Sequence, residues 1–127
     1  MNLLIIQARM GSSRLPGKVM KEINNTPLLQ ILINRILKSK YVDNIIVATT
    51  HKSEDDLIAD YCKKKMINHY RGSDWDVLDR FYNAANSFEE PPENIIRICS
   101  DNPLLSFKVV DFVINEFNHS GKYYFSN

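Results

Sequence analysis

A chain of 127 residues is long enough to bury the core of one domain without a disulfide or metal staple. Its 44% hydrophobic and 24% charged residues are those of a globular protein, and a net charge of +1 lacks the basic excess of a general nucleic-acid binder, so any anion site must be local. Before Gln7 and Arg9 the N-terminus offers only the apolar run Leu3 to Ile6, too short for a signal-peptide core or a membrane span, and the expected location is the cytoplasm.

Leu3 to Ile6 reads as a short buried strand that empties into a polar loop carrying Arg9, Gly11, Ser12, Ser13, Arg14, Gly17 and Lys18. Glycines let a backbone approach a ligand closely, and two arginines and a lysine so near each other can grip the oxygens of a polyphosphate. The loop is not a Walker A motif, because five residues, not four, separate Gly11 from Gly17 and Val19, not a hydroxyl residue, follows Lys18. Nor does it contain the G-x-G-x-x-G of a dinucleotide site.

Thr26 is the expected N-cap of the first helix, with Pro27 at its first position and Leu28, Leu29, Leu32, Ile33, Ile36 and Leu37 on its buried face. Asn44 to Thr50 reads as the second strand, with Thr49, Thr50 and His51 where it leaves the sheet. Ser53 is the expected cap of the next helix, with Glu54, Asp55 and Asp56 at its positive end and Lys63, Lys64 and Lys65 at its negative end. Met66 to Arg71 reads as a third strand, followed by the turn Gly72-Ser73-Asp74. The helix after it has Trp75 in its first turn and Val77, Leu78, Phe81, Tyr82 and Ala85 on one face, and it ends before Pro91-Pro92. Asn94 to Cys99 is the fourth strand. Ser106 caps a helix with Val109, Val110, Val113, Ile114 and Phe117 inward, Gly121 ends it, and Tyr123 to Phe125 begins a last strand. Alternation of strand and helix predicts a three-layer α/β/α domain with a mainly parallel sheet.

Cys62 and Cys99 each lie in an apolar segment without C-x-x-C spacing and read as buried free thiols. No Ser-His-Asp or Cys-His arrangement is discernible. In a parallel sheet ligands collect at the carboxyl ends of the strands, where this chain places Arg9, Arg14 and Lys18, then Thr49 and Thr50, then Arg71, then Asp101. Asp101 is the best carboxylate to ligate magnesium opposite the basic loop, or it forms an Asx-turn before Pro103.

The run Ala8-Arg9-Met10-Gly11-Ser12-Ser13-Arg14-Leu15-Pro16-Gly17-Lys18 closely resembles the nucleotide loop of the sugar cytidylyltransferases, above all the spore-coat polysaccharide biosynthesis group, with the acylneuraminate and deoxy-manno-octulosonate enzymes as more distant relatives. Val47-Ala48-Thr49-Thr50, Arg71-Gly72-Ser73-Asp74 leading to Asp79-Arg80, and Ser100-Asp101-Asn102-Pro103-Leu104 extend the resemblance over nearly the whole chain. It implies a Rossmann-like nucleotide-diphospho-sugar transferase fold, CTP and a sugar as substrates, Mg2+ as cofactor, and no nucleic-acid or membrane partner. Arg14 and Lys18 would hold the triphosphate as catalytic groups. Ala8, Arg9, Met10, Gly11, Ser12, Ser13 and Thr49 would line the nucleotide, Arg71, Asp79 and Arg80 would lie along its cytidine side, and Asp101 would ligate the metal. For Arg71 and Arg80 a surface ion pair, with Asp74 or Asp79, remains an equal alternative.

Family members are typically about twice as long, although ~130 residues is a common domain size. Their later half is expected to carry the acceptor-sugar pocket, a second metal carboxylate and the element that makes homodimers. The chain is then an N-terminal half or a short relative. Two other functions stay open: a nucleotide-binding or assembly module without catalysis, and a transferase of the same fold using another nucleoside triphosphate.

Overall fold

The computed structural model describes residues 1–11 and 14–126. Among these residues six strands and four α-helices follow in the order β1 (Asn2–Gln7), β2 (Glu22–Ile23), β3 (Thr26–Pro27), α1 (Leu28–Ile36), β4 (Asn44–Thr50), α2 (Asp56–Lys64), β5 (His69–Gly72), α3 (Val77–Ala85), β6 (Asn94–Cys99) and α4 (Phe107–Ser120). The main sheet is parallel throughout, in the order β5-β4-β1-β6. Central placement explains the unbroken apolar run of β1: Leu3, Leu4, Ile5 and Ile6 are each 0% exposed because helices cover both faces. Burying such a side chain contributes on the order of 1.5–3 kcal/mol.

Alternation along β1 divides the core. Leu4 and Ile6 pack with Leu29, Leu32 and Ile36 of α1, Ile58 and Cys62 of α2, and Val110 and Ile114 of α4. Leu3 and Ile5 face the opposite way, onto Phe81, Ala84 and Ala85 of α3. Three helices on one face and one on the other give the expected three layers.

Several local expectations are corrected. The first helix begins at Leu28, and Pro27 is its cap; Thr26 instead pairs with Ile23 in a small hairpin whose turn residues Asn24 and Asn25 take positive φ of 50° and 63°. Asparagine tolerates that region, which is why the two-residue turn closes. Ser53 opens a short 3₁₀ turn, and α2 starts at Asp56 without a side-chain cap. Trp75 precedes α3, whose cap is Asp76, accepting from the Asp79 amide. Leu78 and Tyr82 of α3, Leu37 after α1 and Val109 of α4 point outward, because a helix resting on a sheet buries a narrower stripe than its full apolar content. Ser106 and Gly121 do bound α4, Gly121 with φ 63°. Tyr123 to Phe125 form no strand, and Cys99 is exposed.

Candidate functional site

Numbered along the main sheet alone, the strand order reads 3-2-1-4, so the direction of winding reverses between β1 and β6. At such a switch point the loops leaving two neighbouring strands diverge and open a crevice at their carboxyl ends. A cavity of about 470 Å³ lies there, lined by Gln7 and Arg9 from β1 and its loop, Gly11, Arg14, Leu15 and Lys18 further along, and Cys99, Ser100 and Asp101 after β6. The loop from the first strand and the turn from the fourth, eighty residues apart in sequence, thus face one another.

The loop is held by its own backbone. Ala8 donates to the Ala48 carbonyl at 3.1 Å, extending the sheet pairing by one residue, and the Gly17 amide returns to the Met10 carbonyl at 2.8 Å. Gly17 has φ +74°, and a Cβ there would stand 3.2 Å from Met10 Cε, so this closure favours glycine on both counts. A 3₁₀ turn, Lys18–Met20, follows and buries Val19, anchoring the loop's far end to the core. Lys18 Nζ reaches across the cavity to the Asp101 carbonyl at 3.1 Å. The carboxylate of Asp101 is exposed on the cavity wall.

Of the expected site residues, Arg9, Gly11, Arg14, Lys18 and Asp101 converge on this cavity. Ser12 and Ser13 lie outside the described residues. Ala8 is buried, and Met10 contributes its backbone, donating to Asp55 Oδ1 at 2.7 Å and accepting from Gly17. Thr49 does not leave the sheet: it is 0% exposed and its hydroxyl has no partner among the described residues.

The second basic group is differently used. Arg71 donates to the carbonyls of Thr50 at 2.8 Å and Lys52 at 2.9 Å and pairs with Asp56 at 2.7 Å, a different acid from Asp74 and Asp79. Arg80 is 1% exposed, donates to the Ser73 carbonyl at 2.6 Å, and leaves its Nε unpartnered. Burial lowers its pKa, with Arg9 acting in the same direction and Asp55 and Asp74 against it. Asp79 accepts from Asn83 on the exposed side of α3.

Gln7 and Cys99 line the cavity and are not among the expected site residues; the signal was available, since each ends a strand at the edge where a parallel sheet collects ligands. Asp55, read as a helix-dipole charge, is almost fully buried against the loop.

A parallel sheet with helices on both faces, and with three cations and a carboxylate around the cavity at its switch point, has the α/β fold of the nucleotidyltransferases. A sequence model of the cytidylyltransferase family matches residues 3–127. The spore coat polysaccharide biosynthesis protein SpsF of Bacillus subtilis is 39% identical over 126 residues, which cover 96% of this chain and 52% of that protein. A solved cytidylyltransferase from Leptospira borgpetersenii is 33% identical with a TM-score of 0.83, over 94% of this chain and 50% of its own. The structure of CMP:2-keto-3-deoxy-manno-octonic acid synthetase complexed with CTP shares the fold, with a TM-score of 0.75 at 22% identity over 93% of this chain and 47% of its own. The chain belongs to the cytidylyltransferase family. It spans about half the length of the curated relatives it matches.

Proposed function

We propose that this chain binds CTP at the β1–β6 crevice and that the protein built on it transfers CMP to a sugar for surface-polysaccharide synthesis, releasing pyrophosphate. The observation that carries the reading is the convergence of Arg9, Arg14 and Lys18 with Asp101 on one cavity. Its volume, about 470 Å³, falls within the ordinary range of small-molecule sites. In the transfer a sugar oxygen attacks the α-phosphorus, the bond to the β-phosphate oxygen breaks, and pyrophosphate carries away the electron pair. Little covalent help from the protein is needed; Arg14, Lys18 and Arg9 align the triphosphate and offset about four negative charges. CTP as the nucleotide is further supported by the bound CTP of the structural neighbour.

The donor set suits magnesium brought in with a triphosphate, because such an ion takes one or two carboxylates together with phosphate oxygens, and Asp101 offers an exposed carboxylate on the cavity wall. Among the described residues no group of three potential metal ligands exists, so the phosphates would complete the coordination. When bound, magnesium would supply charge neutralisation at the triphosphate. Asp101→Asn then removes the magnesium dependence of CTP binding.

The test is a thermal-shift panel of CTP, UTP, GTP and ATP with magnesium, in which CTP raises the melting temperature most because a specific ligand stabilises by mass action. Equal shifts leave an anion site and remove base selection. A second reading, binding without transfer, is favoured by there being one carboxylate residue, Asp101, at the cavity among the described residues. Pyrophosphate release with nonulosonic and deoxy sugars separates the two, and brisk acceptor-dependent release eliminates the second. Homodimers and a cytoplasmic location belong to this same reading. Among the described residues no helix is long and apolar enough to cross a membrane.

A further inference from the structure

Asp55 is 1% exposed, a costly place for a carboxylate unless every oxygen is satisfied. It does not serve the helix it precedes, since its side chain makes no bond to the start of α2. One oxygen accepts the Met10 amide at 2.7 Å, and the other accepts the Thr50 hydroxyl, which in turn accepts the Lys52 amide at 3.2 Å. The turn bearing Asp55 is itself fixed to the end of β4: Arg71 joins Asp56 to the Thr50 and Lys52 carbonyls. Its neighbour Glu54 lies close to the same loop, with Oε1 3.0 Å from where a Cβ on Gly11 would stand.

The consequence falls on Arg9. The residue before it, Ala8, is tied to Ala48, and the residue after it, Met10, is tied on both sides of its backbone, to Asp55 through the amide and to Gly17 through the carbonyl. With both neighbours fixed, the Cα–Cβ direction of Arg9 is set before any ligand arrives, and its side chain lines the cavity. Asp55 also supplies negative charge near the buried Arg80, whose neighbour Arg9 would otherwise add only repulsion.

We propose that Asp55 is a positioning residue for the anion loop: its carboxylate clamps the Met10 amide to the end of β4 and so presents Arg9 to the triphosphate. This rests on the nucleotide reading above and adds a residue outside the cavity to it. Preorganisation of this kind acts through affinity, because a loop that is not held must be ordered when the ligand binds.

The experiment uses the full chain, with CTP and inorganic tripolyphosphate as probes, calorimetric titration well below the melting temperature, and amide hydrogen exchange followed residue by residue. Asp55→Ala weakens both probes about tenfold, roughly 1.4 kcal/mol. It accelerates exchange at Met10 at least tenfold, on the order of the same energy, while Ile5 and Val47 stay protected. Asp55→Asn, which keeps an acceptor for the amide, restores affinity and Met10 protection to within about threefold of the native chain, a factor of well under 1 kcal/mol. Should Asp55→Ala not fold, Thr50→Val gives the second variant; it removes only the hydroxyl partner, and faster exchange confined to Met10 and its neighbours is the expected result. Unchanged affinity in Asp55→Ala, an Asn variant no better than Ala, or acceleration spread evenly over the sheet each overturns the proposal. Failure of the native chain to bind either probe sinks the nucleotide reading instead, and the exchange data still decide the role of Asp55.

Discussion

Two groups of basic side chains stand at the carboxyl ends of this sheet, and they are used in opposite ways. Arg9, Arg14 and Lys18 follow β1 and open onto the cavity; none of them has an ion pair among the described residues, and Lys18 touches only a carbonyl. Arg71 and Arg80, on β5 and α3, turn inward to the carbonyls of Thr50, Lys52 and Ser73 and to Asp56. The difference is one of surroundings. Where a strand end and a turn present unpaired carbonyls, a guanidinium with five donors is drawn into the fold; where the loop closes on itself, as through Gly17 and Met10, the cations stay on the cavity wall.

Arg80 is the most deeply packed of these cations. Because its side chain is packed to 1% exposure, Arg80→Ala is expected to cost about 3 kcal/mol in chemical denaturation, by cavity formation and lost packing of the aliphatic stem. Arg80→Met restores more than half of that, since a buried charge can be replaced by an apolar side chain of similar length at little cost. If Met proved as damaging as Ala, the guanidinium would matter more than the volume.

On the other side, Arg14→Ala and Lys18→Ala each weaken CTP binding by about ten- to a hundredfold, roughly 1.5–3 kcal/mol, and leave the apo melting temperature nearly unchanged. Titration and a melt on the same samples check this. A sharp fall in apo stability would move either residue into the inward-turned group.

Gly72 sharpens the boundary between the groups. A Cβ at this position would lie 2.9 Å from Arg80 Cγ and 3.0 Å from Tyr70 Cε1, so Gly72→Ala displaces Arg80 and costs about 1–3 kcal/mol by overpacking. CTP affinity, measured by titration at a temperature where the variant is folded, stays within about threefold, because the cavity cations are untouched.

The smallest effect at neutral pH concerns the cysteines, which divide between core and cavity as the arginines do. Burial pushes the Cys62 thiol from 9.0 up to about 12 in the folded chain. Above about pH 9 the unfolded chain therefore binds fewer protons than the folded one, and stability falls as pH rises, by about 1 kcal/mol at pH 10. Cys62→Ala loses stability near neutrality through its packing but has a flatter alkaline profile, as melts from pH 8 to pH 10.5 would reveal. Iodoacetamide labels exposed Cys99 in the native chain and Cys62 only on unfolding.

The alternation of strands and helices, the buried character of β1 and the basic loop are legible in the order of the residues, because these rest on periodicity and on chemistry contained within a few neighbouring residues. The family is legible there too, through a loop motif whose residues keep fixed spacing. Which charges line the cavity depends on the long-range fold. Glu54, Asp55 and Asp56 read alike as a helix-terminal acidic run, yet one lies against the loop at Gly11, one clamps Met10 and one holds Arg71. Arg71 and Arg80 likewise match a family stretch, but their hydrogen bonds go to carbonyls of their own fold. Leu78 and Tyr82 share the apolar pattern of α3 and still point outward. In each case residue type and local spacing were the same on both sides of the distinction, and long-range packing, by fixing which backbone acceptors and which neighbouring elements a side chain meets, made the choice.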